Sequence, residues 1–402
     1  MTDRSNLIPW VEKLKGAHIL VVGDAMLDRF VSGDVERISP EAPIPILRVR
    51  HENAMPGGAG NVVRNLAALG ASATFIGVAG ADAAADELKA ALAQHTGVSV
   101  ELIADATRPT TIKVRYLAGN QQMLRTDWES SEPFSDQIGD AVLNATLAAI
   151  PNCNAVVLSD YDKGVLADGR AAKIIAAARD AGKPVVVDPK GDDFGRYPGA
   201  SLITPNRKEL EHAANTTVAD DAAITAAALS LISKHGLGGM LVTRSADGMT
   251  LIDAEGNAQH LAAESREVFD VSGAGDTVVA AVAAMIGAGA AVIDAACVAN
   301  TAAGIVVAKV GTAAAYASEI IAALHHQDIS DAEAKVLTAT EALDRIARWR
   351  RQGHKVGFTN GCFDMFHAGH AHLLLSIKED LPDDYELVVG VNGDESIKKN
   401  KG

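Results

Sequence analysis

The sequence predicts an α/β protein built on a doubly wound, mainly parallel sheet with a small β-lid. Short β-branched runs recur along the chain, each closed by a polar loop and most followed by an Ala-rich helical stretch. That rhythm is the mark of βαβ units. Aromatic residues make up only 4% of the chain and glycine is abundant, which suits close packing of helices on a sheet. Between residues 110 and 127 the rhythm gives way to two alternating runs around Gly119-Asn120, a hairpin signal for a separate small sheet.

Taken in order, His18–Val22 reads as a buried parallel strand ending in Gly23-Asp24. Asp24 and Asp28 therefore fall just past a strand, where open α/β sheets bind ligands, although either also serves as a turn residue. Residues 30–50 are rich in Pro and β-branched side chains and lack helical periodicity, so they read as an extended flap. Pro56-Gly57-Gly58-Ala59-Gly60-Asn61 then leads into a Val62–Leu69 helix. The paired glycines let the backbone approach a polyhydroxy ligand, with Asn61 able to donate and accept, or they simply make a tight strand-to-helix turn. Thr74–Val78 reads as a strand, Asp82–Gln94 as a helix. The hairpin of residues 110–127 makes a plausible lid with the extended flap, its spare edge open to a second copy.

From Ala155 the βαβ rhythm resumes, with strands at Ala155–Leu158, Pro184–Val187, Ser201–Thr204 and Met240–Thr243. Their loops carry Asp160 and Lys163, then Asp188 and Lys190, then Asn206 and Glu209, then Ser245 and Gly248. Such a succession loads the C-terminal edge of the sheet with chemistry. Lys163 and Lys190 are local cations for a phosphorylated ligand, or else solvated lysines. Asn206 and Glu209 stand at a strand-to-helix junction suited to nucleotide phosphates or their Mg²⁺. Thr243, Ser245 and Gly248 are placed to line the nucleotide's other side.

Asp270-Val-Ser-Gly-Ala-Gly-Asp-Thr277 opens the most apolar part of the chain. Gly273 and Gly275 present bare N–H groups, the helix start adds a positive dipole end, and Asp276 sits where a general base would take a proton. The same residues also fit ordinary helix punctuation. Residues 277–311 are broken by Gly287, Gly289, Asp294, Asn300 and Gly304, so they read as two buried Ala-rich helices rather than a membrane span.

The net charge of -15 excludes a broad basic footprint for nucleic acid or anionic membrane. Cys153, Cys297 and Cys362 are odd in number and widely spaced, as for reduced thiols in a cytosolic, cytoplasmic protein. The first fifteen or so residues lack the apolar core of a secretion signal.

Past Gly311 the chain reads as helical through about residue 348, with a domain boundary between Ile329 and Gly353. A new α/β unit then begins with strand Val356–Thr359, the loop Asn360 to Asp364, and His367-Ala-Gly-His370 opening a helix. A further strand, Leu387–Val391, leads into Asn392-Gly-Asp394. His367 and His370 at a helix start suit one phosphate group better than a metal, since no third ligand lies near in the sequence. With about 50 residues before Gly402, this unit is short for a self-sufficient domain.

Pro56 to Gly70 and Asp270 to Thr277 resemble the two signatures of the ribokinase-like (PfkB) carbohydrate kinases, with Ser272 where many members have Thr. Asn360 to His370 resembles the phosphate-binding motif of the cytidylyltransferase-like nucleotidyltransferases. The order of the two modules is similar to the bifunctional heptose 7-phosphate kinase/heptose 1-phosphate adenylyltransferase family of lipopolysaccharide precursor synthesis. Gly23-Asp-Ala-Met-Leu-Asp-Arg29, Arg37-Ile-Ser-Pro-Glu-Ala-Pro43, Asn120-Gln-Gln122, Ser159-Asp-Tyr-Asp-Lys-Gly164 and Asp188-Pro-Lys-Gly191 carry that closer likeness.

The resemblance implies a kinase domain over residues 1–330, a helical linker over 331–353 and the N-terminal part of a nucleotidyltransferase domain over 354–402. It implies an ATP- and Mg²⁺-dependent enzyme making heptose 1,7-bisphosphate, commonly dimerised through its β-lid. Asp276 would activate the anomeric hydroxyl, and Gly273, Ala274 and Gly275 would form the anion hole. Asn206 and Glu209 would meet the ATP phosphates and Mg²⁺, while Asp24, Asp28, Gly57, Gly58, Asn61 and Asp160 would hold the sugar. Arg115, Arg125, Lys163 and Lys190 are candidates for the substrate phosphate, and Asp270 for a monovalent cation such as K⁺. His367 and His370 would stabilise ATP phosphates in the second module, which the family continues well beyond Gly402, so that this module is expected to be incomplete. The rival expectations are a ribokinase-like kinase of another sugar and a catalytically silent sugar- or nucleotide-binding module.

Overall fold

The computed structural model describes residues 4–119, 121–264, 268, 270–309 and 311–333. Beyond these it describes the strands Lys355–Gly361 and Tyr385–Val391 and scattered helical positions between 339 and 377. The chain divides into two compact units, Met1–Asp328 and Ile329–Gly402.

In the first unit a short helix α1 (Ile8–Lys13) precedes strand β1 (His18–Gly23). Long strands β2 (Ala25–Ile38) and β3 (Pro45–Gly58) follow, then α2 (Ala59–Ala68), β4 (Ser72–Gly80), α3 (Ala83–Ala93) and β5 (Val98–Asp105). Next come β6 (Thr111–Ala118), β7 (Gln121–Trp128), α4 (Asp136–Ala149), β8 (Ala155–Ser159), α5 (Arg170–Asp180), β9 (Val185–Asp188) and β10 (Leu202–Ile203). The unit continues with α6 (Arg207–Ala214), α7 (Asp221–His235), β11 (Gly239–Thr243), β12 (Met249–Asp253) and β13 (Ala258–Leu261), and then α8 (Ala274–Gly287), α9 (Val292–Val307) and the greater part of α10 (Ala317–Glu333).

Among the described residues, the main sheet runs β13-β12-β11-β10-β9-β8-β1-β4-β5. Its strands are parallel except β12 and β13, which close one edge antiparallel. Strands β8 and β9 are apolar and almost wholly buried, as expected when helices cover both faces. The period of two sends Ile19 and Val21 into one core and Leu20 and Val22 into the other. Helix α8 is apolar on every side and buried from Asp276 to Met285, so it lies inside the first core rather than on its surface. The predicted pair of buried Ala-rich helices is therefore α8 and α9. Among the described residues no helix is long and apolar enough to cross a membrane.

From β1 the chain order runs outward to β4 and β5 on one side and to β8, β9, β10 and β11 on the other. That reversal is a topological switch point, and the crevice beyond the strand ends there is the usual ligand site of such sheets. The second sheet, β3-β2-β6-β7, is rooted at the same edge, since β2 begins two residues after β1 ends and β3 runs directly into α2. This is the expected lid.

Several local expectations need correction. Gly57 and Gly58 lie in the last two positions of β3, paired with Met26 and Ala25, and α2 starts at Ala59 rather than Val62. Asp28 lies within β2 instead of in a loop. Strand β5, helix α4 and the antiparallel strands β12 and β13 were not foreseen. The half-exposed β5 lacks the continuous apolar run that marks a central strand. The hairpin residue Asn120, the loop after the strand Lys355–Gly361, His367, Asn392-Gly-Asp394 and most of the stretch 334–354 lie outside the described residues.

In the second unit, β14 (Lys355–Gly361) and β15 (Tyr385–Val391) pair in parallel from Lys355↔Tyr385 to Gly361↔Val391. Parallel neighbours separated by this much chain require a crossover, the βαβ pattern read from the sequence.

Candidate active site

The loops after β8, β9 and β10, the end of β11 and the first turn of α8 line a cavity of about 260 Å³. Its walls include Asp160, Tyr161, Asp188, Lys190, Asn206, Glu209, Thr243, Gly273, Gly275 and Asp276.

Asp276 occupies the first turn of α8, whose N-cap Gly273 has φ 80°. A Cβ on Gly273 would come within 2.8 Å of both Asn61 Nδ2 and Thr312 Cγ2, so only glycine fits this turn. The Asp276 carboxylate is 7% exposed and held at both oxygens. Asn61 Nδ2 donates to Oδ2 at 2.6 Å and the Tyr161 hydroxyl donates to Oδ1 at 2.6 Å. At the next residue, Thr277 Oγ1 donates to Asn65 Oδ1 at 2.8 Å, which locks α8 to α2. Burial pushes the Asp276 carboxyl up to about 6. The Tyr161 and Asn61 hydrogen bonds oppose that rise, the Asp28 charge adds to it, and Arg64 counters. The group is thus ionised at neutral pH, yet far more basic than an ordinary carboxylate.

Asn206 and Glu209 form a reciprocal capping box on α6. Asn206 Oδ1 accepts from the Glu209 N–H at 3.0 Å, and Glu209 Oε2 accepts from the Asn206 N–H at 2.9 Å. The pair therefore has a structural role whatever it binds. Glu209 also lies 3.8 Å from Lys190. Asp188 is pushed well above the usual carboxylate range by burial and by the charges of Asp276 and Glu209. The cavity's carboxylate, amide and hydroxyl oxygens are hard donors of the kind Mg²⁺ takes. Among the described residues no group of three or more His, Cys, Asp or Glu side chains is arranged to hold a metal.

Other expected residues do different work. Asp24, expected at the sugar, is 1% exposed, and its carboxylate accepts the backbone N–H groups of Tyr161, Lys163 and Val165 at 2.8, 3.1 and 3.2 Å. It is a clamp on the loop after β8, and burial and the Asp160 charge raise it to about 6. Ser245 and Gly248 do not line the cavity. Gly248 is buried in a turn with φ 82°, where a Cβ would lie 2.0 Å from the Leu261 carbonyl oxygen. Gly57 backs onto Asp28, whose Oδ2 would be 2.5 Å from a Cβ there, so side-chain packing alone demands that glycine.

Arg115 donates to Asp28 at 2.8 Å. Arg125 is bidentate on Asp127 at 2.9 and 3.0 Å and half-exposed. Lys163 pairs with Glu129 at 3.0 Å, while Lys190 reaches the cavity directly and is 52% exposed in its side chain. Asp160 accepts from the Tyr197 hydroxyl at 2.6 Å and pairs with Arg196 at 3.0 Å. Asp270 caps its own turn, accepting the Ser272 N–H at 2.8 Å. In the second unit His370 lies in a helix, and His367 lies outside the described residues.

Sequence reasoning missed Tyr161, Asp188 and Arg64 as members of this site. Arg64 donates to the Thr312 carbonyl and fixes the loop before α10 against α2. Both Tyr161 and Asp188 stood within loops already singled out, but only the folded chain brings them to Asp276.

A model of the pfkB family carbohydrate kinases matches residues 17–319, and a cytidylyltransferase-like model matches residues 358–402. The chain is 52% identical over 402 residues to the bifunctional protein HldE of Paramagnetospirillum magneticum, covering 100% of this chain and 82% of that protein. It is 48% identical to the bifunctional protein HldE of Rhodospirillum rubrum, covering 98% of this chain and 78% of that one. Among solved structures, phosphofructokinase-2 from Escherichia coli with substrates and products superposes with a TM-score of 0.65 at 21% identity, covering 77% of this chain and 99% of the other. Ribokinase from Arabidopsis thaliana complexed with ribose and ATP gives 0.61 at 21% identity, covering 77% and 98%.

Proposed function

The chain belongs to the pfkB family of carbohydrate kinases, and we propose that it phosphorylates the anomeric hydroxyl of D-glycero-D-manno-heptose 7-phosphate, giving heptose 1,7-bisphosphate for ADP-heptose and lipopolysaccharide core synthesis. One observation supports this reading above others. A buried carboxylate, Asp276, is pinned by two hydrogen bonds in the first turn of a helix and opens onto a cavity rich in phosphate- and cation-binding groups.

In this reading Asp276 takes the proton of the attacking hydroxyl. The N–H groups of Gly273, Ala274 and Gly275 receive the charge that develops on the transferring phosphoryl group, aided by the dipole of α8. Asn206, Glu209 and Thr243 line the nucleotide side, and Glu209 is the side chain that would share Mg²⁺ with the ATP phosphates. Magnesium neutralises phosphate charge when bound. Asn61, Gly57 and Gly58 border the sugar, with Asp28 and Asp160 behind them. Lys190, Lys163 and Arg115 supply positive charge for the distal phosphate. A monovalent-cation site at Asp270 belongs to the same reading.

We assign residues 1–330 to the kinase, 331–353 to a helical linker and 354–402 to a nucleotidyltransferase unit in which His367 and His370 meet phosphate. A cytoplasmic location fits the buried free thiol of Cys153. A homodimer through the lid is supported by its exposed apolar residues Ile38, Ile44, Val49, Leu124 and Trp128.

A coupled ADP-release assay over a panel of free and phosphorylated sugars tests the substrate. Turnover is expected with heptose 7-phosphate, and Lys163→Ala and Lys190→Ala should raise KM for it without affecting a free sugar. Faster turnover with a free hexose or pentose would replace this substrate with another. ATP binding without turnover on any sugar would leave only a binding module.

A further inference from the structure

The loop between β8 and α5 is held from several sides by buried charged side chains. Asp24 accepts three of its backbone N–H groups. Arg170, 7% exposed, donates to the Gly164 carbonyl at 2.7 Å and the Val165 carbonyl at 3.0 Å. Arg108 stacks 3.8 Å above the Phe134 ring and donates to the Lys163 carbonyl at 3.4 Å and the Glu132 carbonyl at 2.7 Å. Four backbone positions in this short loop, Asp162, Gly164, Asp168 and Gly169, have positive φ. Burying charges to fix an irregular loop is costly unless each is fully bonded. What the loop delivers to the cavity is the Tyr161 hydroxyl, 2.6 Å from Asp276 Oδ1.

We propose that Tyr161 is a positioning residue for the catalytic carboxylate and that Asp24 acts on the reaction through it, by fixing the loop rather than by touching the sugar. The proposal rests on the kinase reading above. Tyr161 is suited to be a permanent donor: burial and the neighbouring Asp276 charge hold its hydroxyl well above the usual tyrosine range. With Asn61 on the other oxygen, the carboxylate is gripped at both ends and keeps one orientation toward the cavity. Each bond also favours the ionised form of a group that burial would otherwise protonate. The charges facing Asp276 are Asp28 on β2, Arg64 on α2 and Asp188 at the end of β9. Asp160, Glu209 and Lys190 share its cavity.

Tyr161→Phe removes the donor and keeps the ring. The acid limb of its kcat profile should move up by about one pH unit, kcat on the alkaline side should fall by about tenfold, and KM for sugar and ATP should stay near that of the unsubstituted protein. Asp24→Asn should move the limb the same way, and the double variant should be no worse than the more impaired single one. Tyr161→Phe carries the test if Asp24→Asn does not fold. A Tyr161→Phe enzyme with an unmoved acid limb and unchanged kcat would reduce the hydroxyl to packing. A variant whose loss lies in sugar KM alone would make Tyr161 a substrate contact. Either result overturns the proposal. Undiminished turnover in Asp276→Asn would instead sink the kinase reading on which it rests.

Discussion

Gly273 and Gly275 flank the same helix start but carry different constraints. Gly273 sits at positive φ with no room for a Cβ, whereas a Cβ on Gly275 meets nothing within 4 Å. Gly275→Ala should therefore fold as well as the parent, or slightly better by about 0.5–1 kcal/mol for a helical alanine. Its turnover should still drop sharply, because the added methyl takes the space reserved for a phosphoryl group. Thermal unfolding and kcat measured on the same sample would show the split, and equal losses in both would assign Gly275 to the fold. Asp276→Asn should lower turnover by about a hundredfold or more with ATP affinity close to normal, which isothermal titration checks. The pH dependence has opposing signs. Asp24 and Asp276 both rise from 3.8 to about 6 on folding. Their contribution to stability is complete below the unfolded value and is lost as pH rises through about 6. Activity needs Asp276 ionised, so it grows over the same window in which these two carboxyls cease to stabilise. The gain in melting temperature from Asp276→Asn should accordingly be larger near about pH 8 than near about pH 4.

The capping box on α6 joins a structural task to a chemical one. Glu209→Gln keeps an acceptor for the Asn206 N–H, so the box survives. The charge that would share Mg²⁺ is lost. An unchanged melting temperature with a raised Mg²⁺ requirement in the ADP-release assay is expected. A fall of about 1 kcal/mol in stability without any Mg²⁺ effect would show that Glu209 serves the helix alone. At this scale the strands of the sheet centre were legible because burial on both faces leaves unbroken apolar runs such as Val156-Val-Leu158. Strand β5 was not, since its outer position lets Ser99 and Glu101 interrupt the pattern. Gly57 and Gly58 read as a loop because glycine is a turn signal by default. The packing of Asp28 against Gly57 keeps them in the strand instead. The octapeptide around Asp276 was legible because a helix start, its glycines and its carboxylate are adjacent in sequence. Its partner Tyr161 is 115 residues away, and no local pattern connects the two.

The whole molecule combines a parallel sheet, a switch point that fixes where a ligand sits, and a second sheet hinged on the strands that border it. Lid residues Leu124 and Trp128 are 56% and 50% exposed, apolar surface that a second copy would cover in the proposed dimer. Replacing both by Glu should shift sedimentation from dimer to monomer. An unchanged sedimentation coefficient would place any self-association elsewhere. The βαβ succession and the presence of a lid could be read from the alternation between that rhythm and the hairpin, whereas the order of strands, with its switch point beside β1, could not. Which acidic residues face the cavity could not, because Asp24 and Asp160 occupy like positions after neighbouring strands and only packing turns one toward a loop and the other toward the cavity. The central claim is transfer of phosphate from ATP to the anomeric oxygen of an already phosphorylated heptose. Phosphorus NMR of a reaction containing the protein, Mg-ATP and heptose 7-phosphate tests it directly. The account predicts ADP together with a second sugar phosphate signal coupled to the anomeric proton, absent with Asp276→Asn. ADP appearing without that signal, or no reaction on this sugar, would contradict it.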